Sequence, residues 1–150
     1  MARKNDAFYP DTPYWRAFRG KFSGILDWDA FDAFWERLAA APEGWFVFDP
    51  QGAPPTAVAS AETFAEFLAQ ARPLLEARRR SGLCGVIYAD DLNAPGFVKM
   101  FDPVNMGSSC SIGGAPVLPK WALSRVAPDA LPVPEPARPG LLGRVLGRTG

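Results

Sequence analysis

Three groups of side chains in this sequence are of types that carry chemistry. The first is the run Asp102-Pro103-Val104-Asn105-Met106-Gly107-Ser108-Ser109-Cys110-Ser111-Ile112-Gly113-Gly114, with three glycines and three serines. Exposed backbone N–H groups and hydroxyls in such a loop can surround an anion, which makes Asn105, Gly107, Ser108 and Ser109 candidate ligands. A connecting loop whose serines satisfy nearby backbone groups accounts for the same composition. The second group is the thiol pair, Cys84 and Cys110. If the runs 83–89 and 97–101 pair as a hairpin, Cys84 lies near Asp102 and within loop reach of Cys110. The two thiols would then be neighbours, able to form a reversible disulfide or to ligate a metal, with Arg78, Arg79 and Arg80 favouring a thiolate. Cys84 also sits in an apolar run, where cysteine serves as a small core residue. The third group is Asp49 with Asp90 and Asp91, which would share one sheet edge if their strands were parallel and could offer oxygen ligands to Mg²⁺ or Ca²⁺. Solvated turns that use Asp for its own side-chain geometry explain these residues equally.

The absence of histidine bounds this list. Without imidazole, Ser-His-Asp and Cys-His catalysis, histidine general bases and histidine metal ligands are all excluded. Nor does the chain carry a P-loop, a GxGxxG, a GxSxG or a CxxC. The expectation is a protein that is not an enzyme and takes no cofactor.

The elements that must position these residues follow from periodicity. Asp27 can cap a helix over 28–41, with Trp28, Phe31, Phe34, Trp35 and Leu38 on one face and Asp29, Asp32, Glu36 and Arg37 on the other. Trp45 to Phe48 reads as a short buried strand between Gly44 and the turn Asp49-Pro50-Gln51-Gly52. Ser60 can cap a second helix, with Phe64, Phe67, Leu68, Ala71 and Leu75 at helical spacing, which Pro73 should kink or divide. Arg78 to Arg80 then fall in its last turn, where cations suit the dipole, and Gly82 can end it. The runs 83–89 and 97–101, joined by Asp90 to Gly96, predict an antiparallel hairpin. A strand-helix-strand connection predicts that 45–48 and 83–89 are parallel. Val117 to Val126 suits an edge strand or a segment across the sheet, since Pro119 argues against a central place. The predicted fold is α+β: a small mixed sheet of about three to four strands, in the order helix-strand-helix-strand-strand, with two main helices on one face.

The flanks differ from this body. Residues 1–20 read as an aromatic arm that packs through Phe8, Tyr9, Tyr14, Trp15 and Phe18 without a helical or strand period; 21–127 form the single domain; 128–150 form a proline-rich linker and a short basic tail. Five basic and two acidic residues fall in 1–21, three basic and none acidic in 138–150, and the part between is acidic. With sixteen charges of each sign overall, no field favours nucleic acid or an anionic membrane. Two cysteines are too few for a disulfide framework, Asn5 and Asp6 interrupt any leader after Arg3 and Lys4, and no apolar run is long enough to span a bilayer. A cytoplasmic location is expected.

In the tail, a helix would place Leu141, Leu142, Val145 and Leu146 on one face with Arg144 and Arg148 pointing away. Gly143 and Gly147 each cost about 1 kcal/mol in a helix, so the segment would order only on a partner. Over residues 140 to 148 it resembles the short tails that recruit cargo to protein shells. The sequence thus predicts an accessory or adaptor protein that binds protein partners, its tail a docking peptide and its surplus aromatics (Trp15, Trp45, Trp121, Phe8, Tyr9, Tyr14) surface anchors. The competing expectation is a thiol-based redox or anion- or metal-binding protein using Cys84, Cys110 and loop 107–114.

Overall fold

The structure is a computed structural model that describes residues 9–81, 84–104 and 118–131. It is α+β, as the sequence predicts. Helix α1 (Pro13–Phe18) is followed by strand β1 (Ser23–Gly24), helix α2 (Trp28–Ala40), β2 (Phe46–Phe48), helix α3 (Ala61–Leu75), a 3₁₀ turn (Arg79–Ser81), β3 (Ile87–Ala89), β4 (Phe97–Met100) and β5 (Trp121–Ser124). The strands form one sheet in the order β1-β3-β4-β5-β2.

Side-chain caps start the helices. Thr12 accepts from Trp15 N at 3.3 Å and Pro13 takes the first turn of α1, where its missing N–H costs nothing. Asp27 accepts from Ala30 N at 2.8 Å and Ser60 from Thr63 N at 3.0 Å, so both predicted caps stand at the predicted helices. Pro73 does not divide α3. The helix runs two residues past it and closes with Glu76 N donating to Arg72 O. Arg78 to Arg80 therefore lie beyond the helix and not in its last turn.

Every pairing in the sheet is antiparallel. The β3–β4 hairpin is as predicted, with Ile87 opposite Met100 and Ala89 opposite Val98. The predicted parallel pairing of 45–48 with 83–89 is corrected: β4 and β5 lie between β2 and β3. Residues 118–131 supply the reason, because β5 pairs with both β4 and β2 and so occupies the interior of the sheet. Pro119 precedes the strand and costs it no ladder bond, since Lys120 N already donates to Met100 O at 2.8 Å. With β1 included, the strands number five.

Alternation along β4 and β5 builds two cores. Val98, Met100 and Leu123 face α2 and α3, joining Phe31, Phe34, Leu38, Phe64, Leu68 and Leu75. Phe97, Ala122 and Phe48 face the other way and are covered by Tyr9, Tyr14, Trp15 and Phe18. The arm does pack through its aromatics, but as a helix. Trp15 and Trp45 are 0% and 1% exposed, and Trp121 packs edge-on to Phe67 with centroids 5.2 Å apart. Of the aromatics expected as surface anchors, Tyr9, Tyr14, Trp15 and Trp45 are core residues, Trp121 is half-buried against the larger core, and Phe8 lies outside the described residues. A sheet covered on both faces needs that much aromatic volume.

Candidate functional site

Among the described residues, the side chains singled out from the sequence do not converge. Asn105, Gly107, Ser108, Ser109 and Cys110 lie outside the described residues, as do Leu141, Leu142, Arg144, Val145, Leu146 and Arg148. Cys84 is described: it is buried in the larger core, and its N–H donates to Leu26 O at 2.9 Å. Burial pushes its thiol above the ordinary range, against the smaller opposing pull of the backbone amides of Val86 and Gly85 and of Arg79. This is the environment of a core thiol, not of an activated one.

The acidic residues likewise separate. The antiparallel order puts Asp49, after β2, at the opposite end of the sheet from Asp90, after β3. Asp90 Oδ1 accepts from Gly96 N and Phe97 N, and Asp91 Oδ1 from Asn93 N and Ala94 N, so both carboxylates serve the turn. Among the described residues no group of three or more His, Cys, Asp or Glu side chains is placed to hold a metal ion. No helix among them is long and apolar enough to cross a membrane.

Arg79 folds back onto α2: its two terminal nitrogens reach the two oxygens of Asp32 at 2.9 Å, while Arg72 and Glu76 complete a four-membered network. The Asp32 carboxyl is held below its usual range by the Arg79 hydrogen bond and by both guanidinium charges. Arg72 and Arg79 also lie over the Phe31 and Trp28 rings, at 5.5 and 5.1 Å from the centroids. This cluster ties α2 to α3, which gives Arg79 of the Arg run a structural use.

A cleft of about 400 Å³ does gather unused binding capacity. Its walls are the end of α2 (Arg37, Leu38, Ala41), Trp45, the turn Asn93–Gly96 and Arg125. Each wall has a local cause. The turn is held by Asp90 and Asp91, and Arg125 N donates to Gly96 O at 3.0 Å, which fastens it to the end of β5. Trp45 is locked from below, stacked on Phe64 at 5.8 Å and donating from Nε1 to Ala41 O at 3.0 Å. Gly44, at φ +86°, turns the chain there and leaves room for the Arg125 guanidinium, which lies 4.2 Å from the Trp45 ring centroid and donates to Glu43 O. Arg37 donates to Leu92 O at 3.0 Å.

Both guanidiniums are thus fixed by carbonyls and a ring, and among the described residues neither forms an ion pair. The lining carries no thiol, hydroxyl, carboxylate or amine. Two planar cations above an apolar floor can bind a carboxylate by paired N–H···O bonds, and they provide no nucleophile or general base. Sequence reasoning missed this site because its residues come from four separate segments. The available signal was Gly44-Trp45 beside a helix end, which marks a left-handed turn next to a large ring.

Comparison of the chain with protein-family models, with curated proteins and with solved structures found no match.

Proposed function

We propose that this protein is a non-catalytic accessory protein, and that its α+β body recognises a carboxylate on a protein partner in the cleft between α2 and the β3–β4 turn. One observation carries this reading: Arg37 and Arg125 are held in place at one cleft without a carboxylate partner among the described residues. Fixing a guanidinium in advance lowers the side-chain entropy lost on binding, which favours recognition over a solvated role. The Arg125–Trp45 contact also makes Trp45 a reporter of occupancy.

The direct test is an NMR and tryptophan-fluorescence titration of the full chain with benzoate and with a short peptide ending in a free carboxylate. Saturable shifts at the Asn93–Gly96 amides, weakened at least tenfold by Arg125→Ala or Arg37→Ala, are expected. Shifts scattered over the surface and indifferent to both substitutions would reject the site. In the same proposal the tail residues Leu141, Leu142, Val145 and Leu146 form a second, independent contact. Removing 128–150 should lower the apparent affinity for a partner captured by the full chain without changing the benzoate titration.

A further inference from the structure

The far end of β4 carries a second group of cations, away from the cleft. A basin of about 750 Å³ is lined by Glu76, Ala77, Arg78, Arg79, Arg80 and Val104. These residues come from the end of α3, the turn after it and the stretch that follows β4, whereas the cleft lies before β4, at the Asn93–Gly96 turn. The acids nearby are already engaged. Asp32 and Glu76 are bound by Arg72 and Arg79, two charges of each sign, so that network is neutral. Asp102 turns Oδ1 onto Val104 N at 2.9 Å. Arg79 has both terminal nitrogens committed to Asp32 and Glu76, and its N–H donates to Glu76 O at 2.9 Å, which anchors the 3₁₀ turn on α2 and α3. Its neighbours Arg78 and Arg80 are exposed, and among the described residues neither has an ion pair or a hydrogen-bonding partner.

We infer that this basin binds a phosphate monoester, gripped by the guanidiniums of Arg78 and Arg80 on the turn that Arg79 anchors. The class follows from charge, donor shape and room. Two uncompensated guanidiniums match a dianion, and their planar donor forks pair with phosphate oxygens. The dipole at the end of α3 opposes an anion, but it amounts to about half a charge against two full ones. The basin is larger than a bare phosphate fills, which leaves space for the group that carries it. A long polyanion fits less well. The basic run is three residues long, and residues 22–137 hold eight basic against fourteen acidic side chains, so phosphates outside the basin would meet repulsion. The carrier is a small phosphorylated molecule or a phosphorylated side chain of a protein, and the contacts to the phosphate are the same for both.

The test is calorimetric and amide-NMR titration of the full chain with phenyl phosphate, with a short neutral peptide carrying one phosphoserine, and with a short oligothymidylate as the polyanion. Saturable shifts at the amides of residues 77–81 are expected with both monoesters. Arg78→Ala or Arg80→Ala should weaken them at least fivefold, and Arg125→Ala, which acts at the other cleft, should leave them unchanged. Because neither Arg78 nor Arg80 holds another described residue, both variants should keep the Tm of the natural chain, and lost affinity then reports the site and not the fold. Affinity should rise through about pH 6, where a phosphate monoester gains its second charge, and the chain has no histidine to titrate there. A phenyl phosphate affinity at or above that of the peptide assigns the site to small phosphorylated molecules, and a tighter peptide assigns it to phosphoproteins. No shifts at the basin, an affinity indifferent to both substitutions, or oligothymidylate bound more tightly than either monoester would overturn the assignment.

Discussion

Among the described residues two glycines have left-handed backbone, Gly44 at φ +86° and Gly85 at φ +71°, and they differ in what surrounds them. A Cβ on Gly85 would meet nothing within 4 Å, whereas a Cβ on Gly44 would come within 2.7 Å of Arg125 Nη1. Gly85→Ala should therefore cost the conformational strain alone, about 1–2 kcal/mol. Gly44→Ala should cost that strain plus the displacement of the guanidinium. Arg125 would leave the Trp45 ring, a contact worth about 0.5–1 kcal/mol, and its hydrogen bond to Glu43 O, worth about 1 kcal/mol. The expected total is about 2–4 kcal/mol. The gain in unfolded-chain order from Gly→Ala is common to both sites and cancels in the comparison. Urea unfolding followed by tryptophan fluorescence measures each variant, and Gly44→Ala should be the less stable by about 1–2 kcal/mol. In an Arg125→Ala background that extra penalty should vanish. Equal costs at the two glycines, or an excess that survives Arg125→Ala, would refute the account of how the cleft is built.

Other consequences can be checked on the same preparation. Ser60→Ala removes the acceptor for Thr63 N and should cost about 1 kcal/mol in urea unfolding. Asp32 has its carboxyl depressed by Arg79 and Arg72, so its stabilising share is present above the ordinary carboxylate range and fades as pH falls through the depressed value. Asp32→Asn should therefore lower Tm at pH 7 and flatten its decline in acid. Lys99 is depressed as well, by desolvation, to about 8, so the unfolded chain binds the extra proton between there and the ordinary lysine range. The Lys99 contribution to stability should rise with pH across about 8 to 10, against the fall contributed by the raised Cys84 thiol, so Lys99→Met should make the pH dependence in that range less favourable than in the unaltered chain. Cys84 is a buried thiol pushed up by desolvation, so labelling of this residue with a thiol reagent at pH 8, located by mass mapping, should be slow until urea unfolds the chain.

Local signals were legible in this sequence, and long-range ones were not. Asp27 and Ser60 announced their helices because a cap is a bond between residues three apart, and the Asp90–Gly96 turn announced its hairpin for the same reason. The parallel pairing expected of β2 and β3 failed because a strand-helix-strand order favours a crossover only if no later strand intervenes, and β5 does. Pro119 concealed the central place of β5, since its effect on a ladder depends on a position one cannot see before the register is known. Helix α1 carries the same kind of signal as the longer helices, a Thr12 cap, Pro13 at its start and Tyr14, Trp15 and Phe18 on one buried face, but at six residues it is too short for a period to stand out. Of the candidate sites, neither Arg37 with Arg125 nor Val104 beside the Arg run could be read from spacing: each needs elements brought together by the fold. Cys84 illustrates the reverse, a chemically suggestive residue that the fold buries in the larger core.

The strand order has a further bearing on how the protein behaves at high concentration. Both margins of the sheet are very short, two residues at β1 and three at β2. Self-templating fibrils grow from runs of about six or seven residues with open amide and carbonyl groups. Neither margin approaches that length, while the longer apolar strands, β4 and β5, are enclosed between neighbours. As long as α1 keeps the second face covered, the described sheet offers other copies of the chain little backbone on which to extend.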